Sequence, residues 1–296
     1  MRAFYERGVQ IDITNACSKV CAGCSRFCGH HRKPFFMDLP TVEKSLQSLV
    51  DFPNKIGIMG GEPTIHPEFA EICALVRQYI TIECRALWTN GAQWAKYESV
   101  INETFLLQNI VYNDHSHTEG HHQPLLVASQ DVVKDKKLWR KLIDDCWIQK
   151  RWSASITPKG AFFCEVAAAL DVLFDGPGGY AIEPNWWKKE PADFQDQVER
   201  YCVNCSAAIP MPPVDANEGK DIVSSRIEEM LKAVSSPRYA KGNVAVFDYV
   251  LDAEKITEYS KSWKPWSHRP FRQCGPNSFL DDDGNVVSHK VFHSGS

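Results

Sequence analysis

The sequence predicts an α/β protein built around a parallel sheet or barrel, and two observations carry that prediction. Apolar strand-like segments alternate with amphipathic helix-like segments through the first half of the chain, the order expected of βαβ units. No internal repeat or low-complexity run interrupts it, so a solenoid is excluded. The 296 residues leave room for roughly two domains, and 44% hydrophobic with 24% charged residues is ordinary for a globular chain.

The elements follow in order. Residues 9–14, VQIDIT, alternate Val9, Ile11 and Ile13 as a strand does. Leu39, Val42, Leu46, Leu49 and Val50 recur at helical spacing. KIGIMG, 55–60, is a short apolar run closed by glycine, the pattern of a buried strand. Phe69, Ile72, Leu75, Val76 and Tyr79 define one face of a helix over 66–79. Residues 82–91, 109–114 and 124–129 read as further strands. Beyond about 140 the pattern changes to a helix ending at Cys146, then a hairpin turning at Pro158-Lys159-Gly160. A short helix over 165–174, a loop, and a helix leading into CVNC follow. The tail opens with a linker-like run from about 213 and holds one amphipathic helix, 222–234. The expected division is therefore 1–140, 141–212, and a 213–296 extension of unassigned role.

The formal charge of −4 offers no basic field for nucleic acid or an anionic membrane surface. The first residues lack the apolar core of a signal peptide, and no apolar run approaches the roughly 20 residues a spanning helix needs. A cytoplasmic protein is expected. Eleven cysteines in such a chain argue against a disulfide framework, as does the odd count, and point to metal ligation.

Cys17, Cys21 and Cys24 form C-x3-C-x2-C directly after the first strand. Strand ends are where ligands collect in parallel α/β folds. Three thiolates suit a centre that keeps one position open; Cys28 offers a fourth, so the spacing alone leaves both a zinc knuckle and an iron–sulfur site standing. After one intervening helix comes GGEP, Gly60 to Pro63: two glycines for a sharp turn and close approach, a carboxylate suited to an amine, and a proline that stiffens the turn.

These two motifs together resemble the radical S-adenosylmethionine (SAM) superfamily. The resemblance covers residues 9 to about 130 and includes TNG at Thr89–Gly91. It implies a partial (β/α) TIM-type barrel in which Cys17, Cys21 and Cys24 hold a [4Fe–4S] cluster. Gly60, Gly61, Glu62 and Pro63 then form the SAM-binding turn, with Gly23 and Asn113 as further SAM contacts and Cys28 a bystander. Many members carry an aromatic residue beside the adenine where this chain has Gly23, so Phe27 or backbone is expected to serve instead. The stretch between Cys24 and Cys146 is short, so the last βα units are expected to be short or missing.

Cys146, Cys164, Cys202 and Cys205, at C-x17-C-x37-C-x2-C, resemble the twitch form of the SPASM extension. That resemblance implies a small β-hairpin/helix module with a fully ligated auxiliary [4Fe–4S] cluster; a four-cysteine zinc ribbon is the competing reading. The loop 113–122 carries four histidines, and Asp114, His115 and His117 are candidate substrate contacts beside Asn113. A further metal site and a plain solvated loop are the alternatives there. His66 reads as part of the helix start. Cys73 and Cys84 read as small buried hydrophobes. Cys274, among arginines, is a candidate hydrogen-atom donor. Trp186, Trp187, Trp263 and Trp266 read as packing.

The expected activity is reductive cleavage of SAM and hydrogen abstraction from a small polar, sugar-, aminocyclitol- or nucleoside-like substrate. Oxidation with the auxiliary cluster as acceptor leads. Epimerisation through Cys274, peptide modification, and a non-enzymatic zinc-binding interaction module are the alternatives. Only eight residues precede the first strand, which disfavours a leader-gripping peptide modifier. Flavodoxin or ferredoxin is the expected electron donor.

Overall fold

The structure is a computed structural model that describes residues 8–113, 121–148, 154–189, 191–263, 272–276, 278–280 and 285–287. Its centre is a six-stranded sheet in the order β4-β3-β2-β1-β6-β7. The strands are β1 (Gly8–Thr14), β2 (Lys55–Gly60), β3 (Arg85–Thr89), β4 (Ile110–Tyr112), β6 (Ala154–Thr157) and β7 (Gly160–Phe162). From β1 to β4 each strand lies parallel beside its predecessor, with helices α1 (Leu39–Gln47), α2 (Phe69–Tyr79) and α3 (Trp94–Thr104) in the connections. Stepping in one direction with intervening helices makes the arc of a partial TIM-type barrel. Every residue of β1 is buried: Val9, Ile11 and Ile13 on one face, Gln10, Asp12 and Thr14 on the other. That polar row prepares the charged cluster described below.

Three sequence expectations are corrected. The hairpin assigned to the C-terminal module joins the central sheet instead, with Val9, Gln10 and Ile11 paired in parallel to Ala154, Ser155 and Ile156. The free edge of β1 and a fully buried four-residue β6 supply the reason. Residues 124–129 form no strand of that sheet; Leu126 makes a single bridge to Val223, and helix α4 (Ser129–Val132) follows. Helix α1 stops at Gln47, which leaves Val50 exposed.

Helix α5 (Lys136–Asp144) precedes Cys146, α6 (Glu165–Leu173) follows Cys164, and α7 (Gln195–Tyr201) precedes Cys202. The tail folds back as short pieces. Strand β8 (Val214–Asp215) pairs with β5 (His121–His122), and β9 (Asp221–Val223) pairs in parallel with β10 (Val244–Val246) around helices α8 (Ser225–Ala233) and α9 (Pro237–Ala240). After helix α10 (Ala253–Ser260), strands β11 (Arg272–Gly275), β12 (Ser278–Leu280) and β13 (Val286–Val287) form an antiparallel set whose β11 packs on β4. Trp186 and Trp187 are buried as packing residues, Trp186 donating to Ser48 Oγ at 3.2 Å and Trp187 lying edge-on to Phe52. Trp266 lies outside the described residues. Among the described residues no helix is long and apolar enough to cross a membrane.

Candidate functional site

The loop after β1 is held from three sides. Gly61 N–H donates to Thr14 O at 2.7 Å and Glu62 N–H to Ala16 O at 2.8 Å, so the GGEP turn docks on the backbone that leads into Cys17. The glycines serve that contact: a Cβ on Gly61 would lie 2.1 Å from Ala16 O, and one on Gly60, at φ 139°, would lie 2.0 Å from Thr14 O. Neither carbonyl can swing aside without breaking the junction. Gly61→Ala is therefore expected to cost about 1–3 kcal/mol, the range for a forced backbone shift, read as a lower urea midpoint.

Glu62 is fully buried. Its Oε1 accepts from Thr64 N (3.0 Å), Thr64 Oγ1 (2.6 Å) and Thr89 Oγ1 (2.6 Å), and its Oε2 from Asn90 N (2.5 Å). The carboxylate expected to meet an amine thus also locks the GGEP turn to the TNG turn. Asn90 carries the link onward, its Nδ2 donating to Cys17 Sγ at 3.4 Å. His66 donates from Nε2 to Met37 O (3.0 Å) and accepts at Nδ1 from Glu68 N (3.1 Å), which describes a neutral ring. Burial holds this imidazole below its usual 6.5. A base whose pKa is depressed on folding contributes fully above about pH 6.5 and less as pH falls through that range. Between about pH 7.5 and 5, wild type is expected to lose more melting temperature than His66→Gln, which does not titrate there.

The thiols of Cys17, Cys21 and Cys24 gather on one loop. Cys28, expected to be a bystander, joins them: its side chain hydrogen-bonds both Cys17 and Cys24. Those bonds draw Cys24 down to about 5 against the opposing effect of burial, whereas burial pushes Cys21 up to about 12. Among the described residues no three Cys, His, Asp or Glu side chains converge as ligands of a single ion. A cluster held at its corners asks for no such convergence. Three thiols at a strand end, one carrying an amide N–H···S contact, fit the cluster that the motif implies.

The tail clamps this loop, a role its irregular sequence concealed. Asp221 Oδ1 accepts from Gly23 N at 2.7 Å; its Oδ2 meets Arg238 Nε at 2.6 Å and His30 Nε2 at 3.0 Å. Arg238 also donates to Val20 O, and Ala22 N to Ala216 O at 2.9 Å. Ser236 Oγ, His30 and Asp221 have the order of a hydrolytic triad, but Ser236 is fully buried and caps α9 through Tyr239 N. The trio is structural. Gly23, at φ 64°, has no room for a side chain because His122 Cβ and Gln123 O approach within 2.8 and 2.9 Å of where a Cβ would stand. The β5–β8 ribbon therefore covers the place where an aromatic side chain was missed. His122 Nδ1 donates to Ala22 O (2.7 Å), and Trp263 Nε1 to Gln123 Oε1 (2.8 Å). Asn113 follows β4, its N–H on Thr89 O at 2.7 Å. Asp114, His115 and His117 lie outside the described residues.

Cys146, Cys164, Cys202 and Cys205, remote in sequence, line one small cavity partly open to solvent. Ile143, Phe163, Val166, Ala167 and Ala208 complete much of an apolar wall. Burial pushes the Cys164 and Cys202 thiols well up and Cys205 to about 12, and neighbouring thiols add to it. Four thiols around an apolar space, three of them held protonated by burial, form a donor set that gains by exchanging protons for a metal. The Cys274 thiol is fully buried and donates to Ser278 O at 3.3 Å within the β11–β12 hairpin.

No family model matches the chain. It is 32% identical over 91 residues to GTP 3',8-cyclase of Pasteurella multocida (strain Pm70), covering 30% of this chain and 27% of that protein. Over 95 residues it is 32% identical to GTP 3',8-cyclase of Photorhabdus laumondii subsp. laumondii, covering 30% and 28%. The chain thus spans less than a third of the length of these curated relatives. A solved structure of BtrN in complex with AdoMet and 2-DOIA aligns at TM-score 0.45 and 14% identity, over 67% of this chain and 92% of that one. Selenomethionine BtrN in an open conformation aligns at 0.41 and 15%, over 67% and 86%. The partial likeness to these two curated proteins supports the radical SAM resemblance that the cysteine and GGEP motifs carry.

Proposed function

We propose that this enzyme oxidises a small polar substrate, sugar- or aminocyclitol-like, by hydrogen abstraction, with a second [4Fe–4S] cluster as electron acceptor. The observation that carries the reading is the convergence of Cys146, Cys164, Cys202 and Cys205 on one apolar cavity. Cys17, Cys21 and Cys24 would hold the cluster, which with SAM would supply the one-electron chemistry that cleaves the S–C5′ bond and makes hydrogen abstraction from a carbinol carbon possible. The chain's own residues do the rest. Gly60 and Gly61 press the SAM-binding turn onto the cysteine loop, Glu62 and Asn90 fix that turn, and the β5–β8 ribbon excludes water over Gly23. Cys146, Cys164, Cys202 and Cys205 would together ligate such a cluster fully, which would suit electron acceptance. A substrate radical that releases one proton and one electron becomes the carbonyl product, and the electron equals the one spent on SAM. Flavodoxin or ferredoxin is the proposed source of the first electron. The burial of Cys274, the candidate hydrogen donor, favours oxidation over epimerisation.

The test is anaerobic. Reconstituted, dithionite-reduced protein given SAM should form 5′-deoxyadenosine and methionine, and a Cys17/Cys21/Cys24→Ala variant should form neither. Zinc without iron in the purified protein would sink the enzyme reading. A panel of aminocyclitols and sugars should then yield a hydrazine-trappable carbonyl product; an inverted alcohol instead would overturn the oxidation.

A further inference from the structure

Arg26 is an arginine with almost no exposure, two residues after Cys24. Its guanidinium is fully engaged. Nε and Nη2 reach Asp12 Oδ1 at 3.3 and 3.1 Å, Nη1 reaches Ser25 Oγ at 3.0 Å and Glu165 Oε2 at 3.1 Å, and Nη2 also donates to Gln10 Oε1. Asp12 Oδ2 in turn accepts from Ser155 Oγ on β6 at 3.1 Å. Glu165 is the residue after Cys164, at the first turn of α6, and is as buried as Arg26. The two cysteine sites are therefore joined by a short connected path: Cys24, Ser25, Arg26, one ion pair, Glu165, Cys164. Asp12 on β1 anchors its midpoint to the sheet.

A lone structural arginine needs one partner. Here one planar cation faces two carboxylates from separate segments; Arg26 itself stands two residues after Cys24, and Glu165 one residue after Cys164. Movement of either cysteine loop would pull on a buried charge that has no water to replace its partner. We infer that the Asp12–Arg26–Glu165 triplet is a strut that couples the two cysteine sites, so that emptying one loosens the other. Arg26 and Glu165 are positioning residues in this scheme; neither ligates. The inference rests on the reading of both sites as cluster sites, and the experiment separates the two.

The full chain is reconstituted anaerobically with ferrous iron and sulfide, and iron release to bipyridyl is followed beside amide hydrogen exchange. Cys202→Ala/Cys205→Ala empties the auxiliary cavity. With the strut intact, this should accelerate iron release from the Cys17/Cys21/Cys24 loop by about tenfold, the lower end of what disturbing the groups behind a metal's ligands does to its retention. In a Glu165→Gln background release should already be fast, and emptying the cavity should add nothing. Equal acceleration in both backgrounds, or none in either, overturns the strut. A second readout needs no iron. In the metal-free chain Glu165→Gln should raise exchange across residues 15–31, in another part of the sequence. Changes confined to 160–173 overturn the strut whatever the metal content, whereas loss of iron binding with altered exchange at 15–31 sinks the cluster reading alone. If Glu165→Gln fails to fold, Arg26→Lys replaces it: a point charge cannot fork between two carboxylates, and the same two regions should loosen together.

Discussion

Replacing Cys202 and Cys205 by alanine is expected to halve the iron of the reconstituted protein, from about eight atoms per chain to about four, while SAM cleavage persists. The cavity holds four thiols and little else polar, so two alanines leave too few donors for any cluster. They do not touch Cys17, Cys21 or Cys24. Iron and sulfide analysis, paired with 5′-deoxyadenosine formation measured soon after reconstitution, checks both halves of the statement. An unchanged iron count would show that the cavity binds no cluster and would remove the electron acceptor from the proposed oxidation. Oxidation of substrate should vanish in this variant while SAM is still consumed, because the substrate radical then has nowhere to send its electron.

Asp221→Asn should be the most damaging single change outside the cysteines. Asp221 and Arg238 are both nearly inaccessible, and the carboxylate also takes the Gly23 N–H and faces His30. Breaking a buried pair by neutralising one partner costs about 3–5 kcal/mol, because the remaining charge is left uncompensated. An exposed pair would cost about 0–1 kcal/mol, so the size of the urea-midpoint shift discriminates between a clamp and a peripheral contact. The same variant should retain less iron at the first cysteine loop, since Gly23 stands between Cys21 and Cys24. Loss of stability without loss of iron would mean that the tail braces the fold but not the loop.

Much of the fold was legible along the chain. β2 occupies the six residues its glycine-closed apolar run indicated, and α2 and α6 fall within the stretches their patterns marked. These segments have a local cause: a face of apolar side chains at the period of the element, with a turn at each end. The hairpin was legible as a hairpin but not as a neighbour of β1, because nothing in ASIT names the edge it will pair with. Arg26 and Glu165 were missed, although the polar row Gln10, Asp12 and Thr14 in a buried strand was a signal that a charge must lie opposite. Asp221, His30 and Arg238 carried no comparable signal. Each is an ordinary polar residue until the chain brings them together.

The sequence by itself carried the radical SAM resemblance, since C-x3-C-x2-C and GGEP act through spacing that a short loop and a short turn preserve in any context. It also determined that four later cysteines needed an explanation. Only the tertiary structure decided that those four share a cavity, that Cys28 stands with the first three, that Cys274 is shut away, and that the tail grips the cysteine loop. The physical reason is range. Local motifs are set by covalent geometry over a few residues, whereas convergence of distant segments is set by which edges pair and which charges can be buried together.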